Sequence, residues 1–104
     1  LKDLAKEKNS FSINLMLGKS YLKLGRKDLA ETYFQNLTTV NPMRSEGWSL
    51  LGDLHLQQGR TDSAKKNFET ALQRDALDIL ALRGMERLGQ PSVITPEIAA
   101  NLPF

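Results

Sequence analysis

Apolar residues along the chain come in short bursts with helical spacing. Leu15, Leu17, Tyr21, Leu22 and Leu24 form one run that stops at "GRKD"; Leu29, Ala30, Tyr33, Phe34 and Leu37 form the next, which stops at "NP". Trp48, Leu51, Leu54 and Leu56 then precede "GRTD", and Ala64, Phe68, Ala71 and Leu72 follow it. Gly25 and Gly59 stand where a residue in the left-handed conformation would end a helix. Asp28 and Asp62 stand where a carboxylate favours the first turn of the next one. The pattern predicts two helical hairpins in succession.

The two hairpins are copies of one unit. Residues 11–44 lie over residues 45–78 without a gap, at a period of 34 residues. Leu17 then meets Leu51, Gly18 meets Gly52, Leu22 meets Leu56 and Gly25 meets Gly59. Arg26 meets Arg60, Asp28 meets Asp62, Ala30 meets Ala64 and Phe34 meets Phe68. These are the small and large apolar positions that helix packing requires, together with turn residues. Gly18 and Gly52 allow the helices of a hairpin to approach closely, Ala30 and Ala64 do the same from the other side, and Phe34 and Phe68 are expected to fill the space between successive hairpins.

The unit resembles the tetratricopeptide repeat, whose pattern is W-x2-L-G-x2-Y, then A-x3-F, then P. Residues 45–78 carry Trp48, Leu51, Gly52, Ala64 and Phe68 at those spacings, with His55 in the Tyr place and Ala76 in the Pro place. Residues 11–44 carry Leu17, Gly18, Tyr21, Ala30, Phe34 and Pro42, with Asn14 in the Trp place. The departures fall on different positions in the two copies, so together they cover the pattern. The resemblance implies an all-α fold, a right-handed superhelical solenoid of antiparallel helix hairpins.

Around the two units, residues 1–10 fit the end of a preceding repeat's second helix, with Leu1 and Leu4 on its buried side. Residues 79–89 fit the first helix of a following repeat or a capping helix, with Asp78 as its N-cap rather than a continuous helix through "DALD". Residues 90–104 form a tail in which Thr95, Pro96 and Glu97 signal a short helix. Its Val93, Ile94, Ile98, Leu102 and Phe104 are expected either to cap the chain's own last helix or to dock on another molecule, which would make a homo-oligomer. A start at Leu1 in what already reads as helix is expected of a piece of a longer array, and two complete units are near the minimum for a continuous core.

Composition narrows the chemistry. Fourteen Lys and Arg against twelve Asp and Glu give a net charge of +2, too small to indicate nucleic acid or an anionic membrane. The absence of cysteine removes disulfides, thiol catalysis and thiolate metal sites. No long apolar run indicates insertion in a membrane. The compartment stays open between cytoplasm and periplasm, the first slightly favoured. "GKS" at 18–20 has the ending of a phosphate-binding loop, but Ile13 stands where that loop needs glycine and the segment is mid-helix. The single histidine, His55, occupies a core packing position with no second imidazole or carboxylate cluster expected beside it. Asp28, Glu31, Asp62 and Glu69 read as solvated or capping, and "NLT" at Asn36 is a glycosylation match in a helical context. Neither an enzyme nor a cofactor is expected.

What the resemblance implies instead is a protein-interaction scaffold, or alternatively a self-assembling module of a larger complex. In this family the first helices of successive hairpins line a groove that receives an extended peptide or a helix. The matching positions are Ser12, Leu15, Lys19, Leu22 and Lys23 in the first repeat and Glu46, Ser49, Asp53, Leu56 and Gln57 in the second. Leu80, Arg83 and Arg87 continue the row. The surface is basic at both ends and acidic in the middle, suited to a short peptide of alternating charge. Family members that hold the carboxylate tail of chaperones place Asn after the first-helix Gly and Lys four residues before that Asn. Here those places hold Lys19 and Leu15, then Asp53 and Ser49, so that activity is not implied.

Overall fold

The computed structural model describes residues 10–89. They form five helices: α1 (Phe11–Lys23), α2 (Lys27–Val40), α3 (Ser45–Gln57), α4 (Thr61–Arg74) and α5 (Ile79–Arg87). α1 packs on α2 and α3 on α4 as antiparallel hairpins, α2 packs on α3 to join them, and α5 rests on α4 and α3. This is an all-α solenoid of helical hairpins.

Each first helix ends in the same way. Gly25 and Gly59 have φ of 77° and 76°, and Gly89 repeats the turn at 70°. At the first two, Arg26 and Arg60 donate their backbone N–H back to the carbonyls of Tyr21 and His55, both at 2.9 Å, which satisfies carbonyls that a helix end otherwise leaves open. Helix starts are closed locally. Ser10 Oγ accepts from the Ile13 N–H at 3.4 Å and Asp78 Oδ1 from the Ala81 N–H at 3.0 Å, so Asp78 starts a new helix as expected.

Packing follows the repeat. Ala30, Phe34, Leu37, Leu51 and Leu54 make one buried cluster, and Ala64, Phe68, Ala71, Leu72, Ala81 and Met85 make a second. A methyl group built on Gly18 would stand 2.6 Å from Phe34 Cδ1, and one on Gly52 would stand 2.8 Å from Phe68 Cδ1. Both glycines therefore face an adjacent helix, where only a hydrogen fits. The phenylalanines differ from expectation in one respect. Phe34 fills its own hairpin against Gly18, whereas Phe68 lies against Gly52 of its own hairpin and also against Gly84 of α5.

Two of the three departures from the family pattern sit beside local hydrogen bonds. Asn14, buried in the Trp place, donates its amide to the Ser10 carbonyl at 2.8 Å and accepts from Asn36 Nδ2 at 3.1 Å. With Ala76 in the Pro place, the turn keeps the same local bond as the turn that carries Pro42. Asp75 Oδ1 accepts from the Leu77 N–H at 3.0 Å, as Asn41 Oδ1 accepts from the Met43 N–H at 3.3 Å one repeat earlier. The earlier turn is fixed further by its Pro42 carbonyl, which accepts from Trp48 Nε1 and Arg74 Nε, each at 3.0 Å. The segments 1–9 and 90–104, including the expected preceding helix, the tail helix and tail-mediated association, lie outside the described residues.

Candidate interaction surface

The surface in question is built by α1, α3 and α5, the first helices of the successive units. Along α1, Ser12, Lys19 and Lys23 are exposed, while Leu15 and Leu22 are half-buried and pack into the first cluster. Along α3, Glu46, Asp53 and Leu56 are half-buried and Gln57 is exposed. Ser49 is buried, and its hydroxyl donates to the Glu46 carbonyl at 3.1 Å, so it contributes floor rather than a free polar group. Along α5, Leu80 is half-buried and Arg83 and Arg87 are exposed.

Two of the expected charges lie beside one another. Arg87 Nη1 lies 3.5 Å from Asp53 Oδ1, and Gln57 Nε2 donates to Asp53 Oδ2 at 3.0 Å. Asp53 is thus taken up within the surface, tying α5 to α3. Lys19, Lys23 and Arg83 remain exposed on it.

An open depression of about 420 Å³ lies on this face. Lys19 borders it from α1, Glu46, Ser49 and Leu50 from α3, and Leu80 from α5. The α4–α5 turn supplies Asp75, Leu77 and Asp78, and the first residue of α5, Ile79, completes the border. Sequence reasoning missed these turn residues by treating "DALD" only as a helix boundary. The signal was present, because Leu77 and Ile79 flank a capping residue and face away from both clusters; each is 64% exposed.

A second arrangement joins the hairpins away from the depression. Glu31 of α2 is half-buried and its Oε1 accepts from Arg60 Nη1 at 2.9 Å, while Oε2 accepts from Gln35 Nε2 at 3.3 Å and lies 3.6 Å from His55 Nε2. This corrects the reading of Glu31 as solvated. His55 is buried as expected: Asn67 Nδ2 of α4 lies 3.0 Å from its Nδ1, while its Nε2, 3.6 Å from Glu31 Oε2, makes no hydrogen bond among the described residues. Burial first, and then the Arg60 charge, pull the His55 pKa below its ordinary value against the opposing pull of Glu31.

The remaining singled-out residues are structural. Tyr21 stacks on Tyr33 with ring centroids 5.6 Å apart, and Trp48 is half-buried against the second cluster. Asn36 lies half-buried mid-helix on Asn14. Among the described residues no group of three His, Asp or Glu side chains is placed to hold a metal ion, and no helix is long and apolar enough to cross a membrane.

Paired hairpins, a glycine-to-phenylalanine contact within each and a shared face of first helices define a helical-repeat protein. The family model for the tetratricopeptide repeat matches residues 15–79, and the chain belongs to that family. No curated protein matches it in sequence.

Proposed function

We propose that the chain is a non-catalytic interaction scaffold that holds an extended peptide or a helix of a partner protein along the face of α1, α3 and α5. Tetratricopeptide repeats generally mediate protein–protein interaction. Stacked repeats offer long continuous surfaces of this kind. The observation that carries the reading is the open depression bordered by all three of these helices, with apolar walls and charges of both signs. Lys19, Lys23 and Arg83 offer exposed cations, Glu46 an acid, and Leu15, Leu22, Leu56 and Leu80 apolar contact. Mixed charge of this kind selects partner and register more than it supplies affinity. Ser12, Ser49, Asp53, Gln57 and Arg87 complete the face, with Asp53 and Arg87 serving each other.

The test is a comparative pull-down with the intact chain and its Lys19→Glu, Lys23→Glu double variant. Both lysines are exposed helix positions, so circular dichroism should report an unchanged fold. Partners that bind the face should be lost from the variant. Recovery of the same proteins in the same amounts by both baits rules the face out.

A further inference from the structure

The depression has a polarity that names the kind of peptide it fits. We infer that it takes an extended segment carrying an aliphatic side chain next to a lysine or arginine, with the segment's acidic or carboxylate end lying toward Lys19. This rests on the scaffold reading above and adds to it the chemistry and direction of the guest.

The aliphatic preference comes from Leu77 and Ile79. Both border the depression, both are 64% exposed, and with half-buried Leu50 they form its apolar wall. The charge preference comes from what surrounds that wall. Asp75 and Asp78 stand on either side of Leu77, and Glu46 stands on α3. Asp75 and Asp78 each accept a backbone N–H at 3.0 Å, which fixes the carboxylates without cancelling their charge, because the donors are neutral. Glu46 meets Arg44 at 3.1 Å in an exposed pair that solvent screens. Among the described residues Lys19 is the single cation on the border, and it belongs to α1, away from the turn. A basic side chain over the turn and a carboxylate over α1 match this distribution, and an acidic segment over the turn meets two like charges.

Fluorescence anisotropy with defined probes tests it. Three fluorescein-labelled decapeptides are used: alternating Leu and Lys, alternating Leu and Glu, and alternating Ser and Lys. The intact chain should bind the Leu–Lys probe about tenfold or more tighter than either other probe. Asp75→Asn with Asp78→Asn keeps both acceptor oxygens and removes both charges, so the turn and the α5 cap persist while the preference for Lys over Glu falls by roughly fivefold or more. Leu77→Ser with Ile79→Ser, at exposed positions, should abolish the preference for Leu over Ser.

Equal binding of the Leu–Lys and Leu–Glu probes, or a charge preference untouched by the Asn pair, overturns the inference. So does a dimer, seen by light scattering, that the Ser pair dissolves, since a second copy would then be the occupant. Tighter binding of a free peptide of residues 90–104 than of the Leu–Lys probe assigns the depression to the chain's own C-terminal segment and overturns it likewise. If the lysine double variant loses partners while the probes show no preference, the scaffold stands and the polarity falls. If that variant keeps every partner and no probe responds to the Ser pair, both fall.

Discussion

Gly84→Ala separates two physical effects of opposite sign. In an isolated helix the change stabilises by about 1 kcal/mol, because alanine has less backbone freedom to lose. In this chain the added methyl would stand 2.6 Å from Phe68 Cε1 and closer still to Cζ and Cε2, where ordinary contact begins at 3.4 Å. Cε1 alone would have to retreat by about 0.8 Å, and the closer Cζ and Cε2 by more. It has no free direction in which to go. Phe68 is fully buried, and on its other side it already lies against Gly52, where a methyl would stand 2.8 Å from the same Cε1.

Overpacking of this kind costs roughly 1 to 3 kcal/mol. A ring confined from both sides belongs in the upper part of that range, so after the propensity gain the net loss should be about 1 to 2 kcal/mol. A chain of 104 residues has roughly 5 to 15 kcal/mol of stability in total, so the loss is readily measured. Urea unfolding followed by helical circular dichroism and by the fluorescence of Trp48, which packs against the same cluster, should show the midpoint falling by roughly 1 M. In a Phe68→Leu background, where the far edge of the ring is gone, the cost of Gly84→Ala should shrink by at least about 0.5 kcal/mol. A Gly84→Ala protein more stable than the parent would refute the close contact between Phe68 and α5.

Two further outcomes follow from the other contacts. Because the folded His55 binds a proton less readily than the unfolded one, its contribution to stability is complete above the ordinary histidine pKa of 6.5 and is lost as pH falls toward its lowered value; urea midpoints should therefore fall between pH 7.5 and 5.5, and His55→Gln should flatten that slope. The groups that face His55 are Glu31 of α2, Arg60 of the α3–α4 turn and Asn67 of α4, and a slope that survives in His55→Gln would place the titration elsewhere. Asp78→Ala should cost about 1 kcal/mol by freeing the Ala81 N–H, whereas Asp78→Asn should retain most of it, and equal melting of both variants would remove the cap from the account.

Features set by local geometry were legible in the sequence. Gly25 and Gly59 take positive φ because the chain must reverse there, and glycine before "RKD" or "RTD" signals that directly. Gly18 and Gly52 were legible for a different reason: a period reveals positions where one helix repeatedly meets another. What stayed hidden depends on partners that do not repeat. Glu31 meets Arg60 and His55 across the hairpin joint, and the corresponding residue of the next unit, Lys65, has the opposite charge. The clue was His55 itself, a polar ring in a place the family gives to tyrosine, which must find polar neighbours once buried. The depression was half legible. Carrying positions over from the family found Lys19, Glu46, Ser49 and Leu80, but not Leu50 of α3, Ile79 at the start of α5 or the turn that supplies Leu77 and two of the carboxylates.

The third unit shows how one displaced residue changes what a helix is for. Extending the 34-residue period from Gly18 and Gly52 leads to residue 86, an exposed glutamate. The glycine of α5 stands two residues earlier, which on a helix turns it through about 200°, onto a different face. There it receives the Phe68 ring of α4. Gly18 and Gly52 serve the hairpin's own second helix; Gly84 serves the hairpin before, as Gly47 of α3 also does against Leu37. A side chain as long as Glu86 holds any neighbour on its own face farther off than Phe34 stands from Gly18. α5 is therefore bound backward, by Gly84 to Phe68 and by Arg87 to Asp53, and this fixes Leu80, Ile79 and the adjoining turn residues Leu77 and Asp78 at the edge of the depression. If that is its role, Gly84→Ala should weaken Leu–Lys probe binding as well as stability, since displacing α5 displaces the apolar wall. A variant that loses stability but binds the probe as the parent does would show that the turn holds its place without α5.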